Sequence, residues 1–410
     1  MAGDYSTTYG NFYVIDAFAS ENKVDVGTEI MRKWHASNFP LQAMLPTGTV
    51  SNYRFDVRVS NHLAQEYTAA AATSVTDSIT FTHNASDAFG LVTSGGVTSS
   101  TYIQAGTLLM SKETGDVVLV SADVASGSAA TVVRASTGLT VTAGDTWIKV
   151  GSAQAEGADI GTVVVPSTDR IENYTQITRV PIGLTGTMRN SEQEYGSELE
   201  RQRHAMMFEH KLRIEMGAIF GEQYIGTTAS AGQRQTRGIM RHITGANVTT
   251  ANGEDIGGTL TESNLNSALK TAMVRTNQPF RDWTMLCSAN VLNAINNFAH
   301  DRIHTVPGTL AKYGMNVQGL TTPWGDVKLV HQPFFNTAAD NTGTLDFLDG
   351  IALIVDLSKF KKVNLKNRGF QILTNRQGNG EDLYKEETLE EWGIWYEGYD
   401  GGYLLYGITG

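Results

Sequence analysis

Residues 192–224 read EQEYGSELERQRHAMMFEHKLRIEMGAIFGEQY, and they hold the longest helical pattern in the chain. Apolar side chains recur at spacings of three and four, which places them on one face of a helix. This apolar stripe consists of Ala205, Phe208, Leu212, Met216 and Ile219. At 1.5 Å per residue the helix would be roughly 45 Å long, well above the average length. We therefore expect a strut that other elements pack against, rather than a core filler.

The segment before this helix has the character of a β-domain. Residues 52–60 alternate between apolar and charged side chains, as a strand does. From about residue 69 to residue 161 the composition shifts to Ser, Thr, Ala, Gly and Val. Short strands at regular spacing, without helical periodicity, favour a small β-barrel or sandwich. Since strand patterns flank this region, with residues 175–182 as the returning strand, it is predicted to be inserted into a hairpin.

The residues after the long helix alternate between helix and strand patterns, which together with the β-rich region predicts an α+β fold. The predicted elements are a helix capped by Thr261 that runs to Val274, a buried strand over 282–287, a helix over 289–299, and strands over 327–330 and 351–355. Aromatic residues between Leu389 and Tyr406, interrupted by Gly, are interpreted as a long pair of strands.

The first 50 residues are interpreted as an irregular arm that carries one short helix. Val26, Ile30 and Trp34 recur at helical spacing, and Pro40 and Pro46 are expected to stop the pattern. An amphipathic helix on such a leader requires a partner surface.

The composition limits the classes of function. The chain is 41% hydrophobic and 18% charged, with a net charge of -11. A surface of neutral polar residues suits proteins that assemble with many copies of themselves. No basic patch suggests sequence-specific DNA binding, although an acidic wall can enclose DNA by repelling it. We expect neither a signal peptide nor a membrane span, which predicts a cytoplasmic protein or a particle assembled in a cytoplasm.

The single cysteine excludes a disulfide or a thiolate metal site within one chain, and one pair of histidines is the remaining candidate for a metal site. Cys287 is the single cysteine, and its apolar neighbours predict a buried position in a strand. His300 and His304 could share a metal if they lay on one helix. With no third ligand, and with Pro307 closing the pattern, we expect a capped helix end.

The remaining candidates are histidines and carboxylates. His204 and His210 are predicted to lie on a solvated or interface-facing side of the long helix. Acidic residues cluster before Trp392, and paired carboxylates beside aromatic residues can hydrolyse glycosides. The cluster consists of Glu386, Glu387, Glu390 and Glu391. Because all four fall within a short stretch, a charged rim is expected, and no catalytic, cofactor-binding or metal-binding residue is predicted.

The order of these pieces resembles the major capsid protein of tailed bacteriophages, with the Hong Kong 97-type capsid fold. The local resemblance is found in the segments Asn173–Ile177, Leu184–Thr187, Ser197–Met206, Glu215–Glu222 and Thr236–Ile239. Ile103–Gly106 and Gly151–Gly157 are similar to the loop insertion of that family.

The resemblance implies a division of the chain into the regions of that fold. These are an N-terminal arm over 1–50, an extended loop over 51–190 with the β-domain inserted at about 69–161, a peripheral-domain spine helix over 191–235, an axial domain over 236–345, and returning strands of both domains over 346–410. Phe208, Leu212 and Met216 would then hold the helix to the peripheral sheet. On this placement, Leu212→Asp is expected to prevent assembly by unfolding the domain.

The function implied by the resemblance is structural. Hexamers and pentamers of the chain would tile an icosahedral head around double-stranded DNA, without sequence-specific binding and without a membrane. Expected partners are further copies of the chain, a scaffolding protein, a portal and a cement protein. The head would be assembled in the cytoplasm of a host bacterium. Some relatives crosslink a loop lysine to an asparagine; Lys112 and Lys149 are the loop lysines here, and neither is assigned that role.

Three other functions remain open from the sequence. An encapsulin-type compartment has the same fold but encloses cargo proteins. A secreted or surface-layer β protein would explain residues 69–161. A glycoside hydrolase would use Glu386 or Glu390 as its carboxylates.

Overall fold

A computed structural model describes most of the chain. The described residues are 39–60, 65–69, 73–74, 78–83, 102–125, 129–134, 140–158, 168–191, 197–226, 232–244, 252–276, 280–298, 303–305, 318–322, 325–335, 347–397 and 401–409. Their helices are α1 (Pro40–Met44), α2 (Gly186–Asn190), α3 (Glu198–Phe220), α4 (Ile239–Thr244), α5 (Glu262–Thr276) and α6 (Ala289–Phe298). Short 3₁₀ turns lie at Pro333–Phe335, Phe347–Gly350 and Leu357–Lys359.

The strands are numbered in chain order. They are β1 (Thr47–Val50), β2 (Arg54–Ser60), β3 (Glu66–Ala69), β4 (Thr73–Ser74), β5 (Ser78–His83), β6 (Tyr102–Ile103), β7 (Thr107–Ser111), β8 (Val117–Val120), β9 (Val124–Ala125), β10 (Ala129–Arg134), β11 (Thr140–Val141), β12 (Thr146–Ser152), β13 (Thr168–Tyr174), β14 (Gln176–Thr185), β15 (Tyr224–Ile225), β16 (Arg234–Gln235), β17 (Gly253–Thr259), β18 (Phe280–Cys287), β19 (Ile303–Thr305), β20 (Gln318–Thr322), β21 (Gly325–His331), β22 (Ala352–Asp356), β23 (Phe360–Leu365), β24 (Gln371–Leu373), β25 (Leu383–Tyr396) and β26 (Gly402–Thr409).

The predicted long helix is confirmed as α3, but it is shorter than the sequence pattern. It has 23 residues and is therefore about 35 Å long; residues 192–196 of the predicted helix lie outside the described residues. Glu198 and Glu200 in its first turn place negative charge at the positive end of the helix dipole, which stabilises the helix. The helix ends because the chain turns sharply at Gly221, where a Cβ atom would lie 2.4 Å from the Gly217 carbonyl oxygen and 2.5 Å from that of Thr236.

The predicted apolar stripe of α3 is mostly wrong as a description of its buried face. Of the five stripe residues, only Ile219 is fully buried. The buried residues of the helix are Met206, His210, Ile214, Glu215, Ala218 and Ile219. Phe208, Leu212 and Met216 are half-buried, so they do not hold the helix to the sheet as expected. The sequence pattern failed because polar side chains occupy much of the face that packs inward.

α3 lies on a five-stranded sheet. Its strands run in the order β1-β23-β25-β14, with β24 pairing beside β23 on the same long strand β25. α3 contacts β14 and β25. Along β14 the burial alternates, so Val180 and Leu184 face inward while Ile177 is exposed. Pro181 interrupts the backbone donors of β14, which is tolerated because this strand forms the edge of the sheet.

A second, seven-stranded sheet follows the order β17-β26-β22-β18-β21-β20-β19. Alternate residues of its central strands face opposite cores, as the period of a strand requires. One face, including Met285, packs with apolar residues of α5 and α6. The other face, including Leu286, packs with α4 and the C-terminal half of α3. Because α3 and β25 contribute to this second core as well, one apolar cluster joins the two sheets.

The β-rich region forms a closed barrel with the strand order β10-β5-β3-β12-β7-β8. This confirms the barrel alternative rather than the sandwich. Trp147 is fully buried in the barrel core. The barrel lies between β2 and β13, which pair antiparallel from Thr168↔Ser60 to Tyr174↔Arg54. The returning strand of the hairpin is therefore residues 168–174, and the prediction of 175–182 was wrong because those residues open a separate strand, β14, of the five-stranded sheet.

The hairpin is fixed to the five-stranded sheet at its base. Asn173 is buried, and its Nδ2 donates to the Ile394 carbonyl at 2.7 Å. Its Oδ1 accepts from the Arg237 amide at 2.8 Å. The Phe55 ring stacks on Trp395 at a centroid distance of 5.5 Å. One asparagine thus joins the hairpin, β25 and the turn after α3.

Several local predictions are confirmed and others are corrected. Thr261 caps α5, since its Oγ1 accepts from the Asn264 amide at 3.2 Å. Cys287 is buried at the end of β18. His304 lies in the strand β19, so the prediction that it lies at a helix end was wrong. His300 lies outside the described residues. α1 begins at Pro40, where proline suits a first helical turn, and the pattern that Pro40 was predicted to stop lies outside the described residues.

The predicted aromatic strand pair near the C-terminus was also wrong. β25 belongs to the five-stranded sheet and β26 to the seven-stranded sheet. The predicted helix around Val26, Ile30 and Trp34 falls outside the described residues. Among the described helices, none combines the length and apolar character that crossing a membrane would require.

Candidate functional site: a buried charge array beneath the long helix

Three carboxylates of β25 are buried, and each contacts cationic side chains from other elements. Glu386, Glu390 and Glu391 are at most 2% exposed. Their partners are the cations Arg203 of α3, Lys362 of β23, Arg234 of β16 and Arg368, together with the imidazole of His210 of α3. We call these eight residues the charge array. Ionised groups are rarely buried unless they are paired, so the array is a built feature of the fold.

Glu386 forms a two-point ion pair with the N-terminal half of α3. Arg203 donates from Nε at 2.8 Å and from a terminal nitrogen at 2.6 Å. The Tyr384 hydroxyl donates to the same carboxylate. The Arg203 hydrogen bonds lower the pKa of Glu386 against the opposing effect of burial. The same pairing raises the pKa of Arg203, so both side chains stay charged.

Glu390 lies four residues beyond Glu386 on β25, and it meets His210, which is about two helical turns beyond Arg203 on α3. His210 Nε2 donates to one carboxylate oxygen at 3.0 Å, and Lys362 Nζ lies 2.6 Å from the other. Burial, the largest influence, raises the pKa of Glu390, but the contacts with His210 and Lys362 outweigh it and the pKa lies below its ordinary value. Thr388 Oγ1 lies 3.1 Å from His210 Nδ1, so both ring nitrogens have partners.

Glu391 points to the opposite face of β25, because side chains alternate along a strand. Arg234 approaches at 2.9 Å and Arg368 at 2.7 Å. The Thr175 hydroxyl donates to Glu391 at 2.7 Å. This carboxylate therefore joins β25 to the start of β14 and to the β15–β16 hairpin.

The array fixes the register of α3 on the sheet. Arg203 and His210 are spaced by about two helical turns, and they meet carboxylates four positions apart on β25. Farther along, Trp392 donates from Nε1 to Thr178 Oγ1 at 2.9 Å. Sliding the helix along the strand would separate each charge from its partner. A buried pair adds little net stability over an apolar pair, but breaking it is costly, so its effect is mainly on geometry.

The structure corrects the sequence expectations for these residues. The predicted charged rim was wrong for Glu386, Glu390 and Glu391, and only Glu387 is half-buried, paired with Arg376 at 3.1 Å. The predicted solvated side was wrong for His210, which is 2% exposed. His204 is exposed, as predicted. The alternation of Glu386, Thr388, Glu390 and Trp392 was a strand signal, but nothing in the sequence identified their partners.

The chemistry of the array is that of a structural joint. Each of its carboxylates is held by at least one cation, and none lines the described surface groove formed by β14–β16 residues. In the described part of the chain, no group of three or more His, Cys, Asp or Glu side chains is arranged to hold a metal ion.

Comparison with known proteins defines the class of the molecule as a phage shell subunit. The family model described as SU10 major capsid protein matches residues 5–407. The chain belongs to the SU10 major capsid protein family. No curated protein sequence matches it.

Solved structures similar to the chain include capsids and an encapsulin. The capsid of a native GTA particle is 10% identical, with 97% of this chain and 99% of that chain covered and a TM-score of 0.48. The capsid of the Myoviridae phage XM1 is 11% identical, with 98% and 100% covered and a TM-score of 0.47. The SrpI encapsulin of Synechococcus elongatus PCC 7942 is 11% identical, with 60% and 78% covered and a TM-score of 0.37.

The family match confirms the predicted tailed-phage major capsid protein and, with it, the Hong Kong 97-type α+β fold. The protein is a structural subunit of a phage head and is located in the virion. Its assembly is with further copies of itself. The encapsulin alternative is not favoured, because the family matched over nearly the whole chain is that of a capsid protein.

Proposed function

We propose that the chain tiles an icosahedral head as hexamers and pentamers around double-stranded DNA. The match of residues 5–407 to a major capsid protein family carries this proposal. A tiling subunit needs a rigid body that keeps its shape while its edges make contacts. The charge array and the apolar cluster that joins the two sheets supply that rigidity.

The regions of the chain take the roles expected from the fold. We assign an N-terminal arm to 1–50, an extended loop to 51–190 with an inserted β-domain at about 69–161, a peripheral-domain spine helix to 191–235, an axial domain to 236–345, and returning strands of both domains to 346–410. The β2–β13 hairpin with its barrel supports the loop assignment. The seven-stranded sheet with α5 and α6 supports the axial assignment.

The proposed role is structural and not catalytic. Glu386 and Glu390, the carboxylates of the glycoside hydrolase alternative, are both committed to buried ion pairs. The net charge of -11 supports a wall that encloses DNA without sequence-specific contacts. A scaffolding protein, a portal and a cement protein are the proposed partners, and assembly is proposed to take place in the host bacterial cytoplasm.

The test is assembly of the purified protein, alone and with the scaffolding protein of its phage. Size-exclusion chromatography and negative-stain microscopy should show shells, tubes or capsomer-sized rings. Symmetry averaging of the rings should give six-fold and five-fold classes. A protein that stays a 44.4 kDa monomer under both conditions would contradict the proposal.

A further inference from the structure

Glu215 lies in the middle of α3, outside the charge array, and its side chain is completely buried. Its carboxylate contacts the start of α1, where Oε1 accepts from the Leu41 amide at 2.9 Å and Oε2 accepts from the Gln42 amide at 3.0 Å. The first amides of a helix have no partner within the helix. The residue before α1, Phe39, provides no side-chain cap. Glu215 therefore supplies the cap that α1 lacks.

A third contact comes from Gln332, which is also completely buried. Its Nε2 donates to Glu215 Oε1 at 2.9 Å. Its Oε1 is buried and has no hydrogen-bond partner among the described residues. A buried amide oxygen without a donor carries a substantial desolvation penalty.

The distribution of donors over the two carboxylate oxygens is uneven. Oε1 accepts from the Leu41 amide and from Gln332, and Oε2 accepts from the Gln42 amide; the Gln42 side chain also interacts with the carboxyl group. In a neutral carboxylic acid, the carbonyl oxygen accepts two bonds, while the hydroxyl oxygen accepts one and donates its own proton. The Gln332 side chain, which donates to Glu215 Oε1, also carries the buried oxygen that has no hydrogen-bond partner. A proton on Oε2 would close a cyclic acid–amide pair between the two side chains.

We propose that Glu215 is a neutral carboxylic acid in the folded subunit and donates its proton to Gln332 Oε1, so that one neutral side chain of α3 joins the start of α1 to the residue that follows β21. The glutamate is a positioning residue for the N-terminal segment, which joins the subunit at this point. Phe39 contacts Phe208 and Phe334 at centroid distances of 5.2 and 5.7 Å, so the junction also has an aromatic part.

The electrostatic surroundings agree with a neutral group. Burial raises the pKa of Glu215, against the hydrogen bonds from Gln332 and from the backbone of α1. α1 contains no ionisable side chain. On α3, Lys211 is exposed and offers its carbonyl to Gln42 Nε2 at 2.6 Å; before Gln332, the His331 side chain is exposed. Neither neighbour forms an ion pair with Glu215 among the described contacts.

The sign of the resulting pH dependence is distinctive. A carboxyl whose folded pKa is raised stabilises the docked state below the unfolded pKa of about 4.3. This stability is lost as the pH rises towards the folded pKa. In that window the protection of the Leu41 and Gln42 amides from hydrogen exchange should fall by up to about tenfold per pH unit. A capping carboxylate that stayed ionised would show no such loss.

Two measurements on the purified subunit test the proposal. The infrared difference spectrum of wild type against Glu215→Gln at neutral pH should contain the carbonyl stretch of a protonated carboxyl. Glu209→Gln, on the same helix in an exposed pair with Arg213, is the matched control and should show carboxylate bands alone. Carboxylate bands alone for Glu215→Gln as well would overturn the proposal.

The second measurement needs no variant that might fail to fold. Protection factors for the peptide containing residues 39–45, corrected for intrinsic exchange, would be measured on wild type between pH 5 and pH 7. A fall with rising pH, absent in Glu215→Gln where that variant folds, supports the neutral acid. Wild-type protection that stays constant or rises would overturn it.

Discussion

Gly217 of α3 lies directly against the indole of Trp392 in β25, and a Cβ atom at Gly217 would come within 3.2 Å of two ring carbons. The missing side chain is what lets the helix approach the sheet at this level. The indole in turn is held by the neighbouring strand β14, since its Nε1 donates to Thr178 Oγ1.

Gly217→Val should therefore destabilise the subunit by about 1–3 kcal/mol, because the added methyl groups push the helix away from the ring. Urea denaturation of the unassembled subunit would measure this change. Valine has a higher helix propensity than glycine, so propensity alone would favour this substitution. Lys211→Val, at an exposed position of the same helix, shows the effect of a valine where no ring is approached. A Gly217→Val subunit as stable as the wild type would show that the close approach has no energetic consequence.

Glu390→Gln should cost about 3–5 kcal/mol of unfolding free energy, since it leaves Lys362 and His210 facing an uncharged amide in a buried site. The matched control is Glu381→Gln, which breaks the exposed pair with Lys385. That control should leave the unfolding midpoint unchanged. If the two variants behaved alike, the burial of the array would have no bearing on stability.

Acid should weaken the contact between α3 and the sheet. The pKa values of Glu386 and Glu390 both lie below the ordinary value. Their contribution is present above the unfolded pKa of about 4.3 and is lost as the pH falls through the folded values. Urea midpoints between pH 3 and pH 7 should decline at the acidic end, and more gently in Glu390→Gln. A variant with the wild-type slope would contradict this assignment.

The two aspartate substitutions Leu212→Asp and Ile214→Asp should have different outcomes. Ile214 is 2% exposed and belongs to the cluster that joins the sheets, so a buried carboxylate there should prevent folding. Leu212 is half-buried, so the same change should leave a folded subunit. Circular dichroism and size-exclusion chromatography would distinguish them. An unfolded Leu212→Asp together with a folded Ile214→Asp would contradict the assignment of which face of α3 packs inward.

The sequence predicted those parts of the fold whose patterns are local. Alternation and turn residues were sufficient for the barrel strands, and a hydroxyl before a helical pattern was sufficient for the Thr261 cap. The pairing of strands that are distant in the sequence leaves no local pattern of this kind. For this reason residues 175–182 were assigned to the wrong partner, and β25 and β26, consecutive in the chain, were predicted to pair although they belong to different sheets.

The charge array shows the same limit at the level of side chains. A run of glutamates before a tryptophan is typical of an exposed rim, because unpaired carboxylates are costly to bury. The side chains whose contacts make their burial possible come from residues 203, 210, 234, 362 and 368. Only the folded topology brings them to β25. A helix whose inward face carries Arg203 and His210 also lacks the apolar periodicity by which a buried face is recognised.

The closed barrel has a practical consequence for engineering. The chain leaves the hairpin at Ser60 and re-enters it at Thr168, and these two residues are directly paired. Their Cα atoms are therefore separated by about 5 Å, the spacing of neighbouring strands. A foreign domain whose own termini lie that close could be exchanged for the barrel without stretching the stem. The subunit thus offers an insertion site at which a foreign domain could be displayed once per copy of the chain.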